Sequence, residues 1–269
     1  MVAFTLFYLV GVVIVQQDTR TVDILSAPQS TAKTIAIFGA SGTAGDGILK
    51  AALASTDIKK IQVVTRRITP RMKQGIEAGK VQVFQHMDYL DYSAVIKQLA
   101  DVSDVYWAIG ISSIGVDEKT YGMIHVDFPM QFVSEWSSIS RMTNVAFHYI
   151  SSSDISEEST AMWAREKIRA EKSLFAFADN SSMRVIAYRP DYIGPTEEES
   201  HVGQELLYYF FAPVGAAVRA EQIGQAMIEV SARDSEFRNG DKLYTGKIIR
   251  YSNVYEQRKL AGVTANYSG

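Results

Sequence analysis

Residues 34–45, TIAIFGASGTAG, constrain this chain more than any other stretch. A run rich in β-branched residues ends directly in Gly39, and residues 42–53 then carry helical character. A strand that turns at once into a helix is the opening of a βαβ unit. Glycines at such a turn let backbone approach a ligand. The helix N-terminus adds unpaired N–H groups and the positive end of its dipole. Gly39, Gly42 and Gly45 give the spacing G-x-x-G-x-x-G, which in this context predicts a cradle for the pyrophosphate of a dinucleotide. Gly39, Ser41, Gly42, Thr43 and Gly45 are the candidate holders, with Gly45 letting the helix pack closely on the strand. The competing reading is a tight turn that binds nothing.

The rest of the chain repeats the alternation. Strands are predicted at 61–65, 81–84, 105–109, 145–150 and 184–188, and helical segments at 92–99, 119–138, 161–178 and 221–232. Strands alternating with helices imply an α/β fold: a doubly wound, mostly parallel sheet with helices on both faces. Such a sheet binds ligands at the carboxyl ends of its strands, near the switch between strands one and four. KLYTGKIIRYS, from Lys242, predicts a last strand followed by a polar tail at 251–269. The expected organisation is an apolar extension and linker at 1–32, then one domain at 33–250 with a small substrate region near 190–220.

Composition removes several alternatives. A net charge of −3 without a basic stripe gives no reason to expect nucleic acid. With no cysteine there is no disulfide, thiol nucleophile or thiolate metal site. The four histidines are scattered, and no metal is expected. No G-x-S-x-G elbow and no G-K-[ST] ending occur, which disfavours a hydrolase and a P-loop NTPase. Residues 1–15 are apolar, with no charge before Asp18. They are a packed extension of a cytoplasmic protein, a membrane anchor or an uncleaved signal.

The second strand ends in Thr65-Arg66-Arg67. An acidic residue there would suit the ribose hydroxyls of NAD. Arginine suits the 2′-phosphate of NADP through a forked contact, so Arg66 and Arg67 favour NADP over NAD. Asp88-Tyr89, just after the third strand, is either an adenine neighbour or a plain loop with its carboxylate in solvent.

From residue 34 to 232 the chain resembles the short-chain dehydrogenase/reductase superfamily, in its atypical or extended NmrA-like and epimerase-like branch. The glycine turn carries the resemblance, together with Gly110-Ile111-Ser112-Ser113-Ile114-Gly115-Val116-Asp117-Glu118-Lys119-Thr120-Tyr121, Met162-Trp163-Ala164-Arg165-Glu166-Lys167 and Arg189-Pro190-Asp191-Tyr192-Ile193-Gly194-Pro195. The resemblance implies a Rossmann-like fold and hydride transfer between nicotinamide and a carbonyl or alcohol carbon. It also implies a Ser, a Tyr and a Lys as active site, with Tyr and Lys spaced Y-x-x-x-K. Lys167 matches as the ribose-binding lysine, although its charged neighbours also suit a solvated face. Four residues before it stands Trp163, whose indole cannot relay a proton. Three explanations follow: binding without turnover, a tyrosine from elsewhere (Tyr121 or Tyr192), or chemistry by serine and water. In the cluster 151–153, Ser152 or Ser153 is the expected catalytic serine. Gly110 would lie beside the cofactor ribose and Pro190 along the nicotinamide. The aromatic run LLYYFF at 206–211 would line an apolar pocket, fill core or meet another subunit. The implied function is an NADP(H)-dependent oxidoreductase acting on a small carbonyl or alcohol. A non-catalytic NADP(H)-binding redox sensor with a protein partner, or a sugar-nucleotide epimerase, stand as alternatives.

Overall fold

The computed structural model describes residues 33–267, with side chains to residue 261. The apolar run at 1–15 and its linker lie outside the described residues.

Seven parallel strands form the central sheet in the order β3-β2-β1-β4-β5-β6-β9. They are β1 Lys33–Phe38, β2 Ile58–Thr65, β3 Val81–Gln85, β4 Asp104–Trp107, β5 Val145–Ile150, β6 Met183–Arg189 and β9 Lys242–Tyr244. The doubly wound sheet reverses direction where β1 meets β4, as the alternation predicts. A separate parallel pair joins β7 Tyr192–Gly194 to β8 Ala217–Arg219.

Period-two alternation splits the strand residues between two cores. Ile35 and Ile37 of β1 face one, and Ala36 and Phe38 face the other. On the first face lie α1 Thr43–Ala54, α2 Pro70–Glu77, α7 Ala220–Ala232 and α8 Thr245–Tyr267. On the second lie α4 Phe128–Ile139 and α5 Met162–Asp179. Glu118–Gly122 (α3) leads into α4 through a π-helical turn at Met123–Asp127. The remaining helix, α6 Val202–Phe211, sits beside β7 and β8 with none of its residues fully buried. Among the described residues, no helix is long and apolar enough to cross a membrane.

Three local expectations fail. The segment 92–99 is not a full helix; only a short 3₁₀ turn forms at Ile96–Leu99. Asp88 and Asp91 instead cap the Leu90 and Ser93 amides, and such local side-chain bonds compete with a helix. Helix α2 was not foreseen, although Thr69 caps it through the Met72 amide and Pro70 opens it. The last strand spans only three residues, and from Thr245 the chain is helical instead of strand and tail. Ile248, Ser252 and Tyr255 are spaced three to four apart and are buried together with neighbours, a helical stripe that KIIRYS conceals.

Candidate active site

The glycine turn lies at the carboxyl end of β1, where it has no spare room. Gly39 has φ of +79°, and a Cβ there would stand 2.5 Å from the Ala108 carbonyl carbon. A Cβ on Gly45 would stand 2.1 Å from the Gly39 oxygen. Gly42 is different, because a Cβ there meets its nearest neighbour at an ordinary 3.5 Å. No side chain caps α1, so its first amides keep their donors for a ligand. A pyrophosphate fits this cradle: bare backbone, uncapped helix N-terminus, and Ser41 and Thr43 on the rim of the cleft.

Two lobes meet at the turn. The first, about 600 Å³, is lined by Gly39, Ser41, Thr65, Arg66, Arg67 and Tyr89 among others. Arg66 and Arg67 are exposed at the end of β2, and Arg67 also donates to the Ser41 carbonyl at 3.2 Å. Of the expected pair Asp88-Tyr89, Tyr89 takes the wall of this lobe, while Asp88 is exposed and occupied with the Leu90 amide.

The second lobe, about 460 Å³, brings together Tyr121, His125, Ser151, Lys167 and Tyr192. Gly42, Ala108, Ile109, Gly110 and Ile111 line both lobes, so one cleft runs along the strand ends. Lys167 is not a solvated helix residue. It is buried, donates to the Ile150 carbonyl at 2.9 Å, and stands 5.2 Å from the Tyr149 ring centre. Burial pulls its ammonium down to about 7, against the pull of Glu171 one turn later. Glu171 is itself clamped by Arg189 through bonds of 2.9 and 2.6 Å, which fixes the chain where it leaves β6. Tyr121 is pushed up to about 12 by burial and by Glu166, so its phenol stays protonated.

The serine differs from the expectation. Ser151 lines the lobe, and its buried hydroxyl has no hydrogen-bond partner among the described residues. Ser153 instead bonds Asp191 at 2.5 Å, and neither it nor Ser152 lines the cleft. The reason is register: strand β5 pairs with β6 through Ile150, which sets Ser151 at the strand end. Pro190 is also off the cleft wall and accepts the Ser153 amide at 3.2 Å. Trp163 is half-buried and does not line the lobe.

His125 was missed as a site residue. Its only signal is its spacing of four from Tyr121, which in sequence reads as an apolar helix face. The 206–211 run was also open. Leu206 and Tyr209 point outward at 72% and 63% exposure, while Gln204 of α6 reaches the cleft.

No protein-family model matches the chain, and no curated protein matches it. Solved structures do. A short-chain dehydrogenase/reductase from Saccharomyces cerevisiae superposes with a TM-score of 0.61 at 15% identity, covering 80% of this chain and 96% of that one. An NADPH-dependent 3-quinuclidinone reductase from Rhodotorula rubra gives 0.59 at 14%, covering 81% and 92%. A UDP-glucuronic acid 4-epimerase from Bacillus cereus, in complex with NAD, gives 0.58 at 14%, covering 78% and 76%. With strand order and glycine turn in agreement, the chain has the Rossmann-type α/β fold that these short-chain dehydrogenase/reductase and UDP-sugar epimerase structures share.

Proposed function

We propose that this protein is an NADP(H)-dependent oxidoreductase that reduces a small carbonyl or oxidises the corresponding alcohol. One observation carries the reading: the lobe that holds Lys167 and Ser151 opens directly onto the glycine turn, sharing Gly42 and residues 108–111 with the lobe that holds Arg66. Two structural neighbours are described as NADPH-dependent and NAD-bound, which supports a nicotinamide nucleotide here.

The glycine turn and the first amides of α1 hold pyrophosphate. Arg66 and Arg67 take the 2′-phosphate. Lys167 holds the nicotinamide ribose. When bound, the cofactor supplies or accepts a hydride at the substrate carbon. The Ser151 hydroxyl orients the substrate oxygen, and the Tyr121 phenol gives it a proton and regains one from the open cleft. Tyr121 thereby stands in for the tyrosine that Trp163 displaces.

Calorimetric titration of the protein with NADPH and NADH tests the reading. A charge-assisted contact is worth about 1.5–3 kcal/mol, or roughly 10- to 100-fold in affinity. Arg66→Ala is expected to weaken NADPH by that factor and leave NADH unchanged. Equal binding of both nucleotides in both proteins would remove NADP from the reading, and no binding of either would remove the function.

Trp163 favours a second reading, a redox sensor that binds NADP(H) without turnover and signals to a protein partner. Turnover that appears only in Trp163→Tyr supports it. Native turnover that Tyr121→Phe abolishes supports the oxidoreductase.

A further inference from the structure

His125 lines the reaction lobe with a buried ring that is held on three sides. Its ring is 2% exposed. Three neighbours fix it. The Tyr121 ring lies 4.1 Å away, centre to centre. Gly110 lies against its edge, so close that a Cβ there would stand 2.9 Å from Cε1. The Ile111 backbone holds Nε2, with both its N–H and its carbonyl 3.3 Å away. Nδ1 has no partner among the described residues. Leaving a buried polar atom unpaired costs about 1–3 kcal/mol, and a phenylalanine would fill the same space without that cost.

The backbone is bent to place this ring. His125 is the central residue of the π-helical turn Met123–Asp127 between α3 and α4. Such turns are rare and gather at functional sites. The Ser151 hydroxyl, the other orphan of the lobe, comes from the end of β5, and Lys167 comes from α5. Three elements thus converge on one cavity, and two of them bring polar atoms without a partner among the described residues, His125 Nδ1 and Ser151 Oγ.

We propose that His125 is a substrate ligand of the reaction, its Nδ1–H donating to the reacting oxygen of a carbonyl substrate beside the Ser151 hydroxyl. The proposal rests on the oxidoreductase reading above. The tautomer proposed is the one in which Nε2 accepts from the Ile111 N–H and the ring proton sits on Nδ1, one of the two that the equal 3.3 Å contacts to the Ile111 N–H and carbonyl allow. Burial, with Lys167 adding to it, lowers the imidazole to about 2, so the ring is neutral at working pH. It acts by polarising the oxygen as a neutral donor, while Tyr121 remains the source of the transferred proton. A neutral donor also avoids placing a second cation beside Lys167. The ligand class is a carbonyl compound small enough for a lobe of about 460 Å³.

Nitrogen NMR of the histidine rings of the full chain tests this, with His125→Asn identifying the signals among four histidines. In the free protein His125 is expected to stay neutral from pH 5 to pH 8, with the proton on Nδ1. Adding NADP⁺ should move backbone amides of the glycine turn but leave the Nδ1 signal in place. Adding cyclohexanone to the NADP⁺-loaded protein should then shift Nδ1, and Ser151→Ala should weaken that response. A proton on Nε2, or an Nδ1 signal that moves with NADP⁺ and not with cyclohexanone, overturns the proposal. So does a ring indifferent to cyclohexanone while the glycine-turn amides respond to NADP⁺. If NADP⁺ moves no amide at all, the dinucleotide reading itself fails, and that outcome is distinct from the others.

Discussion

Lys167 is buried among Tyr149, His125 and the end of β5, and its ammonium is held near 7 rather than at the ordinary lysine value. The unfolded chain keeps its proton up to about pH 10.4. Between those values the unfolded state binds more protons than the folded one, so stability rises with pH, with a limiting slope of about 1.4 kcal/mol per pH unit. Lys167→Met removes this term. Urea denaturation of both proteins at several pH values in that window should show the native protein gaining stability relative to the variant as pH rises. Parallel pH profiles would mean that the ammonium is solvated after all. The same desolvation lets Lys167 give up a proton near neutral pH.

The helices α1 and α7 are set by two glycines that face each other across their contact. A Cβ on Gly47 would lie 2.3 Å from the Ala220 carbonyl carbon, and one on Gly224 would lie 2.7 Å from the Ile48 Cα. Both obstacles are backbone, so neither can swing away. Because α1 carries the glycine turn at its N-terminus, this contact also fixes the direction of the first amides of α1, which the proposed function assigns to the pyrophosphate. Gly224→Val is expected to cost about 1–3 kcal/mol by overpacking and to weaken NADPH binding as α1 tilts. Gly203→Ala is the control. It lies in α6 with nothing within 4 Å of the new Cβ, and it should be neutral or stabilising by up to about 1 kcal/mol. Thermal melts monitored by circular dichroism separate the two. Equal melting temperatures would show that the α1–α7 contact is loose. Helix α6 is tied down differently: Arg219 grips Glu205 through bonds of 2.6 and 2.8 Å and stacks on Tyr208 at 3.6 Å.

Across the whole molecule, the cleft at the carboxyl ends of the strands is matched by a buried polar knot that starts at the amino ends of β1 and β4 and runs across the sheet. Asp104 is fully buried and meets Lys33 at 3.2 Å, Ser103 at 2.7 Å and His148 at 3.5 Å. His148 continues through Nδ1 to the Tyr188 hydroxyl at 2.9 Å and through Nε2 to Ser231 at 3.1 Å. The knot links β1, β4, β5, β6 and α7. Burial pushes the Asp104 carboxyl up, but the bonds from His148, Lys33 and Ser103 outweigh it and hold the group near 2. A depressed carboxyl contributes stability that is present above its unfolded value of about 3.9 and lost as pH falls through the folded value. Asp104→Asn should therefore be less stable at neutral pH and lose less on acidification between about pH 4 and pH 2, as read from melting temperatures. A variant with the native acid profile would place the knot outside the folding balance. The sequence by itself determined the parallel α/β sheet, the glycine turn and the arginines beyond β2, because these are local: hydrophobic period, turn chemistry and strand-end position are written in adjacent residues. Lys167 came to attention only through its match to the motif of the family that the chain resembles; its charged neighbours by themselves read as a solvated face. Only the tertiary structure decided that Ser151 and not its neighbours faces the cleft, that Tyr121 enters where Trp163 does not, and that His125 lines it with an Nδ1 that has no partner among the described residues. Those outcomes depend on strand register and on a π-helical turn, where a shift of one residue re-aims every side chain that follows.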